Sequence, residues 1–302
     1  MEIADLLHLY GHRPQVDALL QALNGDACGK LTLSGLTGSA VPMYFAGMAD
    51  RVDHTIVFVL DDNDEAGYFY HDLTQMLGQE RVLFFPSSYK RAVKYGQRDA
   101  ANEILRTEVL ARLSEARSSF IVTYPEAMAE LVVSKAHLDD KIIQLSEGTN
   151  TDMFELTKQL RSLGFIETDY VYEPGQFALR GSILDVYSYS CEYPYRIDFF
   201  GDEIETIRTF EVQDQLSKDR KTEIQIVPEL AQQTTEKVPF LQFLPANSWV
   251  VMKDEAFVCD VVARTYEEGF SQQAMTERLE GATEMEQQQI RADMRKESNL
   301  CT

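Results

Sequence analysis

Long apolar runs are missing from this 302-residue chain. None approaches the 18 or so residues that a membrane-spanning helix needs. The acidic, amphipathic start MEIADLLHLYGHRP is also unlike a secretory signal, so the expectation is a cytoplasmic protein. Cysteine is scarce: Cys28, Cys191, Cys259 and Cys301 are scattered without C-x-x-C spacing, which argues against a disulfide framework or a zinc site. The five histidines, His8, His12, His54, His71 and His137, form no H-E-x-x-H pattern, and no metal is expected. Positive charge is the third shortage. Lys and Arg number 28 against 49 Asp and Glu, a net charge of −21. Affinity for nucleic acid rests on cations that neutralise phosphates and release counterions. The chain as a whole should therefore repel DNA, and a protein is the expected partner.

What is present describes an ordinary globular chain, 44% apolar and 25% charged, long enough for two domains. One loop raises a question by what it lacks. The stretch LSGLTGSAVPMY has the glycines and hydroxyls of a phosphate-binding loop but no lysine. A Walker A loop, G-x-x-x-x-G-K-[ST], needs backbone N–H groups around phosphate, a Lys on the β/γ-phosphates and a hydroxyl on Mg²⁺. On that frame Gly35 is the first glycine, Thr37, Gly38 and Ser39 follow, and Ala40, Val41 and Pro42 stand where glycine, lysine and hydroxyl belong. Pro42 also removes an N–H that a phosphate-binding helix start would use.

Residues 1–30 carry helical periodicity broken at Pro14. Leu31–Ser34 reads as a short strand feeding the glycine-rich turn. Ile56–Leu60, Arg81–Pro86 and Phe120–Thr123 are apolar strand signals that alternate with helical segments over 64–77, 99–117 and from Pro125, and Asp64 is the expected cap of the first of these. This alternation predicts a parallel α/β layer. From about residue 138 the pattern changes. One strand and a helix ending at Gly164 precede three strand-like runs, FALRGSILDVYSY, YPYRIDFFGDEIETIRTF and EIQIV, with Gly201-Asp202 a two-residue hairpin turn. After Pro228 a further strand, Ser248–Met252, and a helix return to the α/β pattern. The expected organisation is an α/β layer from residues 1–137 and 228–302, with an antiparallel α+β insertion at 138–227. The polar last forty residues, ending at NLCT without a closing element, read as the end of a truncated chain.

In the run Tyr195–Phe200, period-2 alternation puts Tyr195, Ile197 and Phe199 on a core face and Arg196, Asp198 and Phe200 on the other. A large aromatic beside an arginine is the composition of an interaction hot spot; the bland alternative is a solvated face with one exposed Phe. Arg180, one run earlier, would form a basic island with Arg196 if their strands are neighbours, or else an internal ion pair with Glu173 or Asp185. Gly181 is expected at a bulge or a close backbone approach. In SWVVMKDEAF, Asp254 and Glu255 follow an apolar strand as Walker B acids do, although any acid-capped helix after a strand looks the same. The run Asp61-Asp62-Asn63-Asp64-Glu65 reads as a solvated cap.

The segment EPGQFALRGSILDVYSYSCEYPYRIDFFGDEIETIRTFEVQDQLS resembles the N-terminal region of bacterial transcription-repair coupling factors (Mfd), itself similar to the excision-repair helicase subunit UvrB. The carriers are R-G-x-I-L-D-V and Y-R-I-D-F-F-G-D-E-I-E-x-I-R-x-F. GLTGSAVP and IVFVLDDNDEAGYFYHDL resemble helicase elements more weakly. The resemblance implies a helicase (RecA-like, P-loop) layer whose nucleotide site has decayed, without ATPase, ATP or Mg²⁺ of its own. It implies an inserted domain that recruits the excision-repair ATPase UvrA through Arg180, Arg196, Asp198 and Phe200, the arginines pairing with partner carboxylates or carbonyls. It also implies a C-terminal domain that masks this surface, and contacts to RNA polymerase and DNA through an ATP-driven motor, both further along a longer chain. Two rivals remain: an NTPase with an unusual loop, recognisable by ATP binding, and a damaged-DNA reader using the Arg180/Arg196 island, recognisable by steeply salt-dependent binding.

Overall fold

The structure is a computed structural model that describes residues 3–25, 29–89, 99–114, 118–230 and 237–269. The polar C-terminal segment from residue 270 lies outside the described residues, as do Cys28 and Cys301. The chain divides into two compact units. The first gathers Met1–Asn102, Glu115–Val132 and Val238–Thr302; the second gathers Glu103–Ser114 and Val133–Lys237.

The first unit is built on a four-stranded parallel sheet in the order Trp249–Met252, Ile56–Val59, Phe120–Thr123, Val82–Phe84. The two central strands, IVFV and FIVT, are buried along their whole length, as strands covered on both faces must be. Phe58 anchors one face, with ring centroids 4.9 Å from both Phe45 and Phe69. The helix Asn63–Leu77 is capped by Asp62, whose carboxylate accepts from the amides of Asp64 and Glu65 at 2.9 Å. The cap is therefore two residues earlier than the sequence suggested, because Asp62 is the residue still in extended backbone.

Leu31–Ser34 forms no strand. Both places beside Ile56–Val59 are taken, by Trp249–Met252 and Phe120–Thr123, and Leu31 and Leu33 are left exposed. The glycine-rich turn thus has no strand leading into it, and a RecA-like P-loop arrangement is not seen. The sheet itself agrees with the α/β expectation.

The second unit is a six-stranded sheet ordered Ser217–Lys221, Glu203–Phe210, Tyr195–Phe200, Ile183–Val186, Gln176–Arg180, Ile166–Glu167. All pairings are antiparallel except the last. FALRGSILDVYSY is two strands rather than one run. Arg180 pairs with Ile183, so Gly181 and Ser182 form a two-residue turn, and Gly181, at φ +62°, supplies the positive φ that such turns need at their first central position. Gly201 does the same at φ +64° between Phe200 and Glu203. One sheet face packs Phe177, Leu184, Ile197, Phe199, Ile204 and Ile207 against Leu156 and Leu160 of the helix Met153–Ser162. That helix is capped by Asp152.

In the first unit the helices Ile3–Gly11 and Ala40–Met48 meet at glycines. A Cβ on Gly47 would lie 2.9 Å from both the Leu7 carbonyl oxygen and the Gly11 amide nitrogen. Gly47→Ala is expected to destabilise by about 1–3 kcal/mol through overpacking. Gly67→Ala, inside the helix Asn63–Leu77 with open space around its Cβ, is expected to stabilise by about 0.5–1 kcal/mol through helix propensity. Urea midpoints that move in the same direction for both would contradict this packing.

Candidate functional site

The second face of the six-stranded sheet carries the residues of interest. Cross-strand register sets Asp185 opposite Ala178 and Arg196, Asp198 opposite Ile183 and Thr206, and Arg208 opposite Arg196 and Arg220. Arg180 and Arg196 are not on neighbouring strands, since Ile183–Val186 runs between them. They meet instead on one carboxylate. Asp185 is wholly buried. It accepts from Arg196 Nε at 2.8 Å, from Arg196 Nη2 at 2.9 Å and from Arg180 Nη2. The expected basic island is therefore an ion-paired triad, and of the two readings open for Arg180 the pair with Asp185 holds.

Several contacts fix this triad. Val171, Ala178 and Phe210 form a small apolar cluster on this face, with Tyr187 against it. The Arg196 guanidinium lies 4.4 Å from the Phe210 ring centroid, and the Arg180 guanidinium 5.1 Å from that of Tyr170, geometries suited to cation–π attraction. Arg196 Nη1 donates to the Gln215 carbonyl at 3.0 Å and Arg180 Nη1 to the Asp169 carbonyl at 3.3 Å. The hydrogen-bonded Asp185 carboxylate raises the Arg196 pKa above its ordinary value. The side chain of Arg196 is 14% exposed and that of Arg180 33%, so Arg180 is the one with an open edge.

Asp198 is also engaged. It accepts from Thr206 Oγ1 at 2.8 Å and from Arg208 Nη2. Arg220 in turn holds Glu147 with two bonds of 3.0 and 3.1 Å, and that pairing lowers the Glu147 pKa. Phe200 stands apart at the end of its strand, 79% exposed. An open groove of about 530 Å³ lies close by, lined by Ser182, Ile183, Asp198, Thr206, Arg208 and Arg220. The outward face thus presents the highly exposed Phe200 ring beside polar groups already fixed by internal bonds. Such a face can dock a protein surface with little ordering cost.

The other sequence candidates have local partners. In the glycine-rich turn Gly35 and Gly38 have φ of +84° and +54°. The carbonyls of Thr37 and Gly38 accept from the amides of Ala40 and Val41. Ser39 Oγ donates to Asp72 Oδ2 at 2.9 Å, which places a carboxylate, not a cation, at the hydroxyl. Pro42 is buried in the first turn of the helix that follows. Asp254 caps the helix Glu255–Gly269, accepting from the amides of Ala256 and Phe257. Glu255 pairs with Lys30 at 2.6 Å, both exposed, and Lys253 pairs with Asp61 and Glu65. Among the described residues no group of three His, Cys, Asp or Glu side chains is placed to hold a metal ion, and no helix is long and apolar enough to cross a membrane.

The sequence reading missed the central role of Asp185 and the part played by Gln215. The available signal was an acid set between Leu184 and Val186 in an otherwise apolar strand, where an unpaired charge would be prohibitively costly.

Residues 143–247 match the family model described as the UvrB interaction domain. The chain is 27% identical over 196 residues to the transcription-repair-coupling factor of Bacillus subtilis (strain 168) and 26% identical over 198 residues to that of Escherichia coli (strain K12), covering 65% of this chain and 17% of each relative. It is 26% identical over 240 residues to the UvrABC system protein B of Thermotoga neapolitana, covering 75% of this chain and 36% of that one. The chain therefore contains a region like those of coupling factors and UvrB, as its motifs implied, and it spans 17% of the length of the coupling factors it matches.

Two substitutions separate support from display on this face. Asp185→Asn leaves two arginines around a neutral buried group and is expected to cost about 3–5 kcal/mol of folding stability. Phe200→Ala removes an exposed ring and is expected to stay within about 0.5 kcal/mol of wild type. A denaturant midpoint unchanged by Asp185→Asn would contradict the triad. In the segment before Tyr195, burial pushes the Cys191 thiol up to about 12, so at pH 8 it is neutral. Iodoacetamide should therefore modify the exposed Cys259 well before Cys191, with peptide mass spectrometry as the readout.

Proposed function

We propose that this chain is the UvrA-docking module of a transcription-repair coupling factor, and that Phe200 and the Arg180 edge of the triad meet the partner. The observation that carries the reading is Phe200. It is a bare aromatic ring, 79% exposed, beside an ion-paired cluster and inside the segment that matches the UvrB interaction domain. Aromatic and arginine side chains supply most of the binding energy at such interfaces. In this reading Asp198 holds Arg208 and Thr206 in place behind the ring.

The rest of the reading concerns the longer protein. It is a cytoplasmic, ATP-driven DNA translocase that displaces RNA polymerase stalled at lesions, with its motor, its polymerase contacts and a domain that masks this surface encoded outside these residues. The first unit keeps a helicase-like layer without nucleotide turnover and takes neither ATP nor Mg²⁺. What supports this is chemical. A lysine and a metal-holding hydroxyl supply the main electrostatic terms in phosphoryl transfer, whereas Ala40, Val41 and Pro42 stand in their places and Ser39 is bonded to Asp72. The net charge of −21 speaks against direct reading of damaged DNA.

The test is binding to purified UvrA by calorimetry, wild type beside Phe200→Ala and Arg180→Ala. Each substitution is expected to weaken binding at least about tenfold, the 1–2 kcal/mol typical of an interface anchor, with melting unchanged for Phe200→Ala. A folded wild type that does not bind UvrA would overturn the reading.

A further inference from the structure

Arg196 faces inward more than its motif suggests. Each of its three nitrogens is bonded within the chain, Nε and Nη2 to Asp185 and Nη1 to the carbonyl of Gln215. The Gln215 bond leads to a second feature. Gln215 is the one non-glycine residue among those described with a positive φ, +61°, a region that side chains other than Gly, Asn and Asp rarely adopt. Strain of this kind persists only where the surroundings hold it, and it gathers at functional surfaces.

The surroundings here are extensive. The Gln215 amide donates to the Glu211 carbonyl at 2.9 Å, and its Nε2 to the carbonyls of Val212 at 2.8 Å and Val171 at 3.4 Å. The next residue, Leu216, donates from its amide to Asp214 Oδ1 and accepts from the Glu211 amide, both at 2.9 Å. Its backbone is fully used within the turn, so only its side chain is offered outward, and Leu216 is 65% exposed. A turn that merely joined two strands would have no call for an apolar residue at that place. Arg196 bonds the Gln215 carbonyl, so the Leu216 turn sits at the Arg196 end of the strand, with Phe200 about 13 Å further along it at 3.3 Å per residue.

We propose that Leu216 is a second apolar contact for the partner, and that Arg196 is a positioning residue that presents it by holding the Gln215 carbonyl. This rests on the docking reading above and names the chemistry of the surface that fits. Two arginines share one carboxylate, so the triad carries one positive charge in excess, nearest the more exposed Arg180. The matching partner surface is apolar opposite Phe200 and Leu216 and acidic opposite Arg180.

The test is a double-mutant cycle in binding to immobilised UvrA, with wild type, Leu216→Ala, Arg196→Lys and the pair, and Phe200→Ala as reference. Lysine keeps the charge at 196 but cannot hold Asp185 with two bonds and reach the Gln215 carbonyl as well. Leu216→Ala is expected to weaken binding about tenfold with melting unchanged. Arg196→Lys is expected to weaken it at least as much, and the pair no more than Arg196→Lys alone. A purely structural loss at 196 would not erase the Leu216 effect in this way. Leu216→Ala at wild-type affinity, or losses that multiply in the pair, would overturn the inference. If Phe200→Ala loses binding while Leu216→Ala does not, the docking reading survives and this inference fails; a wild type that does not bind overturns both. Leu216→Ala is a surface change and decides the matter by itself if Arg196→Lys does not fold.

Discussion

The second unit depends on one buried carboxylate. Asp185 sits at zero exposure in the middle of a strand, where an isolated charge would cost far more than a domain's whole stability margin. It is tolerable only with partners on both sides, and the strands on both sides supply them as Arg180 and Arg196. This requirement fixes register as well as charge. A one-residue slip of either flanking strand would turn its arginine to the opposite face and leave Asp185 unpaired. The same slip would move Ile197 and Phe199 out of the core, so packing and electrostatics specify one alignment together.

From that alignment follows a division of labour across the outer face. Groups that must be fixed are fixed internally: Arg196 on Asp185 and Gln215, Asp198 on Thr206 and Arg208, Glu147 on Arg220. Groups that are presented, Phe200 and Leu216, are apolar and make no bonds that binding would have to break. A face prepared in this way loses little conformational freedom on association. The chain's strong negative charge is compatible with the proposed docking, in which a local triad and not the overall field would meet the partner. In the first unit the corresponding polar groups serve structure, with Asp62 and Asp254 capping helices and Lys30 and Lys253 in ion pairs.

How far the sequence could be read depended on whether a residue's role was local. Ile56–Val59 and Phe120–Thr123 were legible because a continuous β-branched run has few other stable uses than a doubly covered strand. The two faces of Tyr195–Phe200 were legible because alternation has a period of exact geometry. Leu31–Ser34 was misread, since a four-residue run with apolar residues only at Leu31 and Leu33 carries no information about whether a sheet position is free. Gly181 was misread because a positive φ serves a turn as well as a bulge, and only the pairing of Arg180 with Ile183 decides between them. Asp185 was seen only as one possible partner of Arg180. Its second arginine is eleven residues further on, and nothing local announces that the two strands are neighbours.

In the function proposed above, UvrA docks on the outer face of the six-stranded sheet, which Asp185 sets. Hydrogen exchange of the chain with and without UvrA tests it most directly. Docking there adds protection to the amides of 195–200 and 211–216 and none to the glycine-rich turn at 35–39. Protection confined to the first unit, with the outer face exchanging as in the free chain, would contradict it.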